Sequence, residues 1–123
     1  MTFDNAGLFP FTATVNERDH LSLGGCDAVD LAAKFGTPLY VFDEETLRGM
    51  CREFAGEFQS RYTDTKIVYA SKAFTNPAIA RLMADEGLGL DVVSGGELAV
   101  AEAVGFPSEL IYFHGNNKLR GEL

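Results

Sequence analysis

Short apolar runs that alternate with helix-like segments are the feature of this sequence that most constrains its fold. Four runs are rich in β-branched and aromatic residues: LYVFD (39–43), KIVYA (66–70), LGLDVV (88–93) and ELIYFH (109–114). Such near-continuous apolar runs are typical of strands that are covered on both faces. Because they alternate with helices, the four runs predict a parallel sheet in an α/β fold.

The segments before and after the first run carry helix signals. DAVDLAAKFG (27–36) predicts a short helix that ends at Gly36. Asp43 is placed to cap a second helix. Apolar residues at a spacing of three and four predict the buried stripe of that helix, which comprises Leu47, Met50, Cys51, Phe54 and Phe58.

Two further helices are predicted between the later runs. Asn76 and Pro77 are suited to the start of a helix, because proline at the first turn lacks only an N–H that the helix does not use. Ser94, with Glu97 three residues later, has the spacing of a capping box. Three apolar residues predict the buried face of the first of these helices: Ile79, Leu82 and Met83.

This pattern fits either an open doubly wound sheet or part of a (β/α)₈ barrel. Neither GxGxxG nor GxxxxGK[ST] is present, so the open nucleotide-binding forms lack their main signal. A full barrel needs about 250 residues, so a chain of 123 residues predicts a partial (β/α)₈ TIM-type barrel with the first four strand–helix units. We expect residues 1–25 to form a separate N-terminal segment and residues 26–123 to form the first half of the barrel domain.

Composition excludes several classes of function. The net charge is −8 and no basic cluster is present, so we expect no nucleic-acid partner. No apolar run approaches the roughly 18 residues of a membrane span. The two cysteines, Cys26 and Cys51, are too few and too far apart for a disulfide framework or a zinc site. These features predict a cytoplasmic protein with reduced thiols and no metal site.

Lys72 is the first candidate for chemistry. It lies two residues after Ala70, at the carboxyl end of the second predicted strand, where α/β folds place their active sites. A partly desolvated lysine loses its proton more easily and can attack a carbonyl carbon. The alternative is a surface lysine in a loop, and position alone favours that alternative.

Asp91 is the second candidate, because it interrupts the apolar run of the next strand. Adjacent strands lie about 5 Å apart, so its carboxylate can reach the region that Lys72 faces. It would orient or charge-balance the lysine there. A structural role, in which Asp91 accepts hydrogen bonds from the following turn, is equally consistent with the sequence.

The remaining candidates follow the third and fourth runs. The glycines after Ser94 would let an anion approach a helix start, but a capping role for Ser94 and Glu97 is the simpler interpretation. Glu97 can still point toward the strand ends from the first turn. His114 follows the last run and can contact a ligand or serve a structural role. Asn116 and Asn117 are either turn residues or polar contacts.

The motifs GTPLYVFD, VYASKAF, LGLDVVSGGEL and FHGNNK resemble, in order and spacing, the N-terminal part of the diaminopimelate decarboxylases. These are pyridoxal-phosphate decarboxylases related to alanine racemase, and the resemblance covers residues 28–123. It implies a barrel domain and pyridoxal 5′-phosphate as cofactor. The implied reaction converts meso-2,6-diaminopimelate, a small amino acid, to L-lysine and CO₂ in lysine biosynthesis.

The resemblance also assigns roles to residues. Lys72 would hold the cofactor as a Schiff base, while Ala70, Asp91 and His114 would lie at the cofactor. Possible rim residues of the active site are Ser94, Glu97, Asn116 and Asn117. The phosphate loop, the acid facing the pyridine nitrogen, the substrate grip and a second domain would come from later strands, so the chain would be an inactive fragment of a homodimer. Alternatives are a decarboxylase of arginine, ornithine or a carboxylated polyamine, or a non-catalytic fragment.

Overall fold

The computed structural model describes residues 6–122, which form two compact units. The first unit ends at Met50 and the second begins at Cys51. Within residues 6–122, no helix combines the length and the apolar character that crossing a membrane requires.

The first unit contains an antiparallel sheet of three short strands. They are β1 (Thr14–Val15), β2 (Leu21–Leu23) and β3 (Cys26–Asp27), in that order. Gly24 and Gly25 join β2 to β3 with φ angles of 57° and 78°. Two residues with positive φ form the kind of tight turn that matches the twist of paired strands. The sequence showed no period here, because strands of two or three residues are too short to display one.

Helix α1 (Ala28–Phe35) follows β3, as the sequence predicts. The Asp27 carboxylate caps it by accepting hydrogen bonds from the N–H groups of Val29 and Asp30, at 2.8 and 3.2 Å. Gly36 ends the helix with a φ of 82°, and its N–H donates to the carbonyl of Ala32. The stop at Gly36 is the one that the sequence predicts, while the Asp27 cap is found only in the structure.

Asp27 also joins β3 to the loop between β1 and β2. Its carboxylate accepts hydrogen bonds from the side chains of Asn16 and Arg18, each at 2.6 Å, and lies 3.0 Å from Nδ1 of His20. Burial raises the pKa of Asp27, but the hydrogen bonds from Asn16, the backbone and His20 outweigh it and hold the pKa below its usual range. A single carboxylate thus caps the helix and closes the loop.

Helix α2 (Glu44–Gln59) begins after Asp43, as predicted, and continues from the first unit into the second. The Asp43 carboxylate accepts hydrogen bonds from the N–H and hydroxyl of Thr46, at 3.3 and 2.6 Å. The apolar stripe is present but only Cys51 is buried. Phe54 and Phe58 are each about half exposed and stack on one another, with ring centroids 6.5 Å apart.

The second unit contains a parallel sheet. Its strands β4 (Val68–Ala70), β5 (Gly89–Val92) and β6 (Ile111–Phe113) lie in the order β4-β5-β6. Helices α3 (Pro77–Asp85) and α4 (Gly95–Ala103) connect them. A 3₁₀ turn, Ser108–Leu110, occupies the start of the fourth predicted run, so β6 is shorter than expected.

The core of this unit is built by the sheet and its two connecting helices. Leu90 and Val92 of β5 are completely buried. Sγ of Cys51 lies 3.7 Å from Sδ of Met83. The predicted buried face of α3 is confirmed, since its three residues join the core, which comprises Cys51, Ile79, Ala80, Leu82, Met83, Leu88, Leu90, Val92, Ala101, Val104 and Phe106.

The prediction of a strand at residues 39–43 is wrong for this structure. These residues form no strand, and Tyr40 is 90% exposed. A β-strand requires a partner for its backbone N–H and C=O groups, and no ladder in the described chain includes this run. Residues 39–43 therefore have the composition of a strand, but no neighbouring strand in the described chain pairs with them.

We predict that the 123-residue chain alone self-associates, because it exposes the stacked Phe54–Phe58 pair and two unpaired sheet edges, at β4 and β6. Sedimentation at micromolar concentration should show oligomers. The double variant Phe54→Glu/Phe58→Glu should shift them toward monomer, while the exposed-site control Glu53→Gln should not. A cooperative thermal transition of a wild-type monomer would contradict this expectation.

Candidate active site

The carboxyl ends of the three parallel strands form one edge of the sheet. Ala70 of β4 lies opposite Asp91 of β5, and Asp91 lies opposite Tyr112 of β6. The strands end within one residue of the same level, because β5 and β6 extend one residue beyond the level of Ala70 and Asp91. The segments that begin at Ser71, Val93 and His114 therefore emerge side by side, which is where the sequence placed its candidates.

Lys72 lies in a 3₁₀ turn, Ser71–Ala73, directly after β4. Its side chain is exposed, and within residues 6–122 its amine has neither a hydrogen bond nor an ion pair. An unpaired amine at the carboxyl end of a parallel strand can react with a carbonyl compound without first breaking another interaction.

Side chains on both sides fix the turn that carries Lys72. Burial raises the pKa of Tyr69 above its usual value, and its hydroxyl is a donor at neutral pH. That hydroxyl donates to the carbonyl of Phe74 at 2.8 Å, and the Thr75 hydroxyl donates to the carbonyl of Ser71 at 2.8 Å. Each of these hydrogen bonds connects a residue before Lys72 to a residue after it, and together they hold the backbone of the turn.

Ser71 anchors the turn from inside and was not singled out from the sequence. Its side chain is 2% exposed, and Oγ lies 2.7 Å from both the carbonyl oxygen of Asp91 and Oε1 of Glu97. A hydroxyl has one proton, so it donates to one of these acceptors at a time. The only sequence signal was a small polar residue between an apolar strand and a lysine.

Glu97 projects from the first turn of α4 to the end of β4. Its Oε1 meets Ser71, and its Oε2 accepts from the Val93 N–H at 2.8 Å and the Ser94 hydroxyl at 2.9 Å. Burial raises the pKa of Glu97, but these hydrogen bonds outweigh it and lower the pKa below its usual value. Glu97 is therefore an ionised link between α4 and the lysine turn.

Ser94 caps α4, since its Oγ accepts from the Glu97 N–H at 3.3 Å. The capping interpretation is thus correct for this half of the motif. The Glu97 side chain bonds to the N–H of Val93 instead of that of Ser94, the usual partner in a capping box. This shift of one residue turns the Glu97 carboxylate toward the strand ends.

Asp91 contributes a carboxylate oxygen that lacks a partner. Oδ1 is buried and accepts no hydrogen bond from any described residue. Oδ2 lies 3.9 Å from Nδ1 of His114, at the outer limit of an ion pair. Buried polar atoms are almost always hydrogen-bonded, so Oδ1 offers an acceptor that no described residue fills.

The rim segment, residues 114–118, follows β6. His114 extends the sheet ladder through its N–H to the carbonyl of Val92 at 2.8 Å, while its ring is 81% exposed. Asn116 and Asn117 are exposed and are not hydrogen-bonded to the Lys72 turn within the described chain. Lys118 donates to the carbonyl of Gly115 at 3.1 Å. The structure thus connects Ser71, Asp91, Ser94 and Glu97, but leaves the two asparagines apart.

The carboxyl ends of adjacent parallel strands thus bring together an unpaired lysine and an acid with one buried, partnerless oxygen. Residues 45–123 match the family model described as "Pyridoxal-dependent decarboxylase, pyridoxal binding domain". The chain belongs to this family, which confirms the prediction of pyridoxal phosphate at the level of the domain.

Curated relatives carry a more specific name. The chain is 50% identical over 115 residues to diaminopimelate decarboxylase from Bacillus methanolicus, covering 94% of this chain and 27% of that protein. It is 52% identical over 112 residues to the enzyme from Bacillus subtilis (strain 168), covering 91% and 26%. The resemblance seen in the sequence motifs is therefore confirmed, and the chain spans about a quarter of these relatives' length.

A solved structure gives the same result for the fold. Diaminopimelate decarboxylase from m. jannaschii in complex with L-lysine superposes with a TM-score of 0.77 at 41% identity, covering 91% of this chain and 26% of that one. This likeness confirms the prediction of an α/β fold that forms the first part of a barrel domain.

We predict that Ser71→Ala in the full-length protein lowers the free energy of unfolding by about 1–3 kcal/mol, because buried acceptors lose their donor. Urea unfolding measures this change. Ser60→Ala is the matched control, since the Ser60 hydroxyl donates to the carbonyl of Glu57 on an exposed surface. Equal stability of the Ser71 and Ser60 variants would show that the buried hydroxyl does not anchor the turn.

Proposed function

We propose that the protein containing this chain is a pyridoxal-phosphate-dependent carboxy-lyase that converts meso-2,6-diaminopimelate to L-lysine and CO₂. The observation that carries the proposal is the unpaired Lys72 amine directly after β4, with a partnerless oxygen of Asp91 on the neighbouring strand β5. The names of the relatives support the substrate. The m. jannaschii enzyme was solved with L-lysine, the proposed product.

The residues present fit the cofactor. Lys72 would hold it covalently through the ε-amine, and Asp91 would accept a hydrogen bond from the bound molecule at Oδ1. The methyl side chain of Ala70 takes little space at the strand end. The exposed imidazole of His114 can stack on a planar ring. Pyridoxal phosphate, when bound, supplies an electron sink for the electron pair that a departing CO₂ leaves behind.

The chain's own contribution is to position the amine and to distribute charge around it. The hydrogen bonds that the Tyr69 and Thr75 hydroxyls donate across the turn fix the backbone of Lys72. The Glu97 carboxylate faces three hydrogen-bond donors of the chain, so its role at this site is to hold segments of the chain together. Asp91 keeps an oxygen that no described residue occupies. The two acids thus divide the structural and ligand-facing roles.

Several parts of the proposal rest on the resemblance. Residues 1–25 would pack with a second domain, and residues 26–123 would form the first half of the barrel. Ser94, Asn116 and Asn117 would lie on the active-site rim. The full-length protein would be a cytoplasmic homodimer. Arginine, ornithine or a carboxylated polyamine is the alternative substrate, and the relatives' names favour diaminopimelate over these.

We predict that Lys72→Ala in the full-length protein lowers lysine formation from meso-diaminopimelate by at least about 10²–10⁴-fold, the scale of losing a positioned proton-transfer group. Production of CO₂ and lysine measures the change. Lys66→Ala is the control, because Lys66 is an exposed lysine that precedes β4 at the opposite end of the strand. Activity retained in the Lys72 variant would refute the proposed role.

A second prediction concerns selectivity among the four lysines of the chain: Lys34, Lys66, Lys72 and Lys118. Incubation with pyridoxal phosphate, borohydride reduction and peptide mapping should place most of the label on Lys72, because Lys72 directly follows the carboxyl end of the parallel strand β4. Label spread evenly over all four would contradict a formed cofactor site in this chain. Ornithine, arginine and diaminopimelate can then be compared as substrates of the full-length protein.

A further inference from the structure

Glu122 connects two segments that are distant in sequence. Its Oε1 accepts a hydrogen bond from the Gly95 N–H at 3.0 Å, and its Oε2 accepts one from the Leu119 N–H at 2.8 Å. Gly95 is the first residue of α4, and Leu119 directly follows the rim segment. One carboxylate therefore joins the start of a helix to the end of the rim segment.

The first turn of α4 explains the first of these contacts. The N–H groups at a helix start have no partner inside the helix and carry partial positive charge. Ser94 satisfies the N–H of Glu97, and Glu122 satisfies that of Gly95. The N–H groups of Leu119 and Gly95 lower the pKa of Glu122 below its usual value, so the acid is ionised at neutral pH.

Gly95 also makes room for this carboxylate. A Cβ added at Gly95 would lie 3.3 Å from Oε1 and 3.4 Å from Cγ of Glu122, which is tighter than usual packing. In the sequence, the glycines after Ser94 suggest a place where an anion can approach the start of α4. In the structure, an anionic side chain of the same chain takes that place at Gly95.

The consequence concerns the rim segment, residues 114–118. Its first residue, His114, is tied to β5 through the carbonyl of Val92. Its following residue, Leu119, is tied to Glu122 twice, because the Glu122 N–H also donates to the Leu119 carbonyl at 2.9 Å. Between these points, residues 115–118 make no backbone–backbone hydrogen bond within the described chain. The segment is held at its two ends.

We propose that Glu122 is a positioning residue, whose carboxylate fixes the rim segment, and with it His114, Asn116 and Asn117, against the start of α4. The catalytic consequence rests on the proposed function. The link itself does not, because it is defined by the contacts of Glu122 with Gly95 and Leu119.

The test uses the full-length protein with Glu122→Ala, Glu122→Gln and the control Glu109→Ala, an exposed acid next to β6. Hydrogen exchange of the Gly95 and Leu119 amides should be about tenfold faster in Glu122→Ala, the effect of losing a hydrogen bond to a charged group. Glu122→Gln should be intermediate, since its amide oxygen still accepts but carries no charge. Gly95→Ala should shift exchange of the Leu119 amide in the same direction, because the added Cβ would crowd the Glu122 side chain.

Kinetics supply the second measurement. Glu122→Ala should raise KM for diaminopimelate several-fold with a smaller change in kcat, because substrate contacts move while Lys72 stays in place. Unchanged exchange in both Glu122→Ala and Gly95→Ala would overturn the link. Faster exchange with wild-type KM and kcat would overturn the positioning role. If the wild-type protein does not decarboxylate diaminopimelate, the proposed function fails, and the exchange rates alone decide whether Glu122 holds the rim segment.

Discussion

The site depends on one buried hydroxyl. Ser71 is the residue at which β4 ends and the lysine turn begins, and its Oγ contacts both the neighbouring strand and the first turn of α4. Because the strands are in register and Ser71 is almost fully buried, the direction in which Lys72 leaves the sheet is set by backbone geometry. The backbone of Lys72 is therefore held in place, although its side chain is exposed and unpaired.

The acids around this turn have different environments, and the difference explains their roles. Glu97 and Glu122 accept hydrogen bonds from backbone N–H groups near the start of α4, which lowers the pKa of each. Both carboxylates thus connect separate segments of the chain through their hydrogen bonds. Asp91 is on β5, and its Oδ1 has no described partner. Of the three carboxylates, Asp91 is the one with an oxygen available to a ligand.

Local signals in the sequence predicted local structure well. Helix α1 ends at Gly36, and helices α2, α3 and α4 each begin directly after a capping residue. These ends were predictable because a cap acts within three or four positions along the chain. Asn76 illustrates this, since its side chain accepts from the Ile79 N–H at 2.9 Å. Strand-end positions were also predictable, because the strands of a parallel sheet end on the same side. Lys72 and Asp91 were therefore placed on neighbouring strands from the sequence alone.

Features that depend on distant partners were not predictable in this way. Residues 39–43 have a strand-like composition, but no ladder includes them. The contact of Ser71 with Glu97 spans 26 positions, and that of Gly95 with Glu122 spans 27. Neither pair shows a local pattern, because each bond depends on how the sheet and α4 pack. The antiparallel strands near Gly24 were not predictable for a different reason, because strands of two or three residues are too short to show a pattern.

The most direct test of the account is a crystal structure of the full-length protein with pyridoxal phosphate. We expect continuous electron density between Nζ of Lys72 and the aldehyde carbon of the cofactor, with Oδ1 of Asp91 within hydrogen-bonding distance of the bound group. An unmodified Lys72, with the cofactor joined to another lysine or bound away from the ends of β4 and β5, would contradict it.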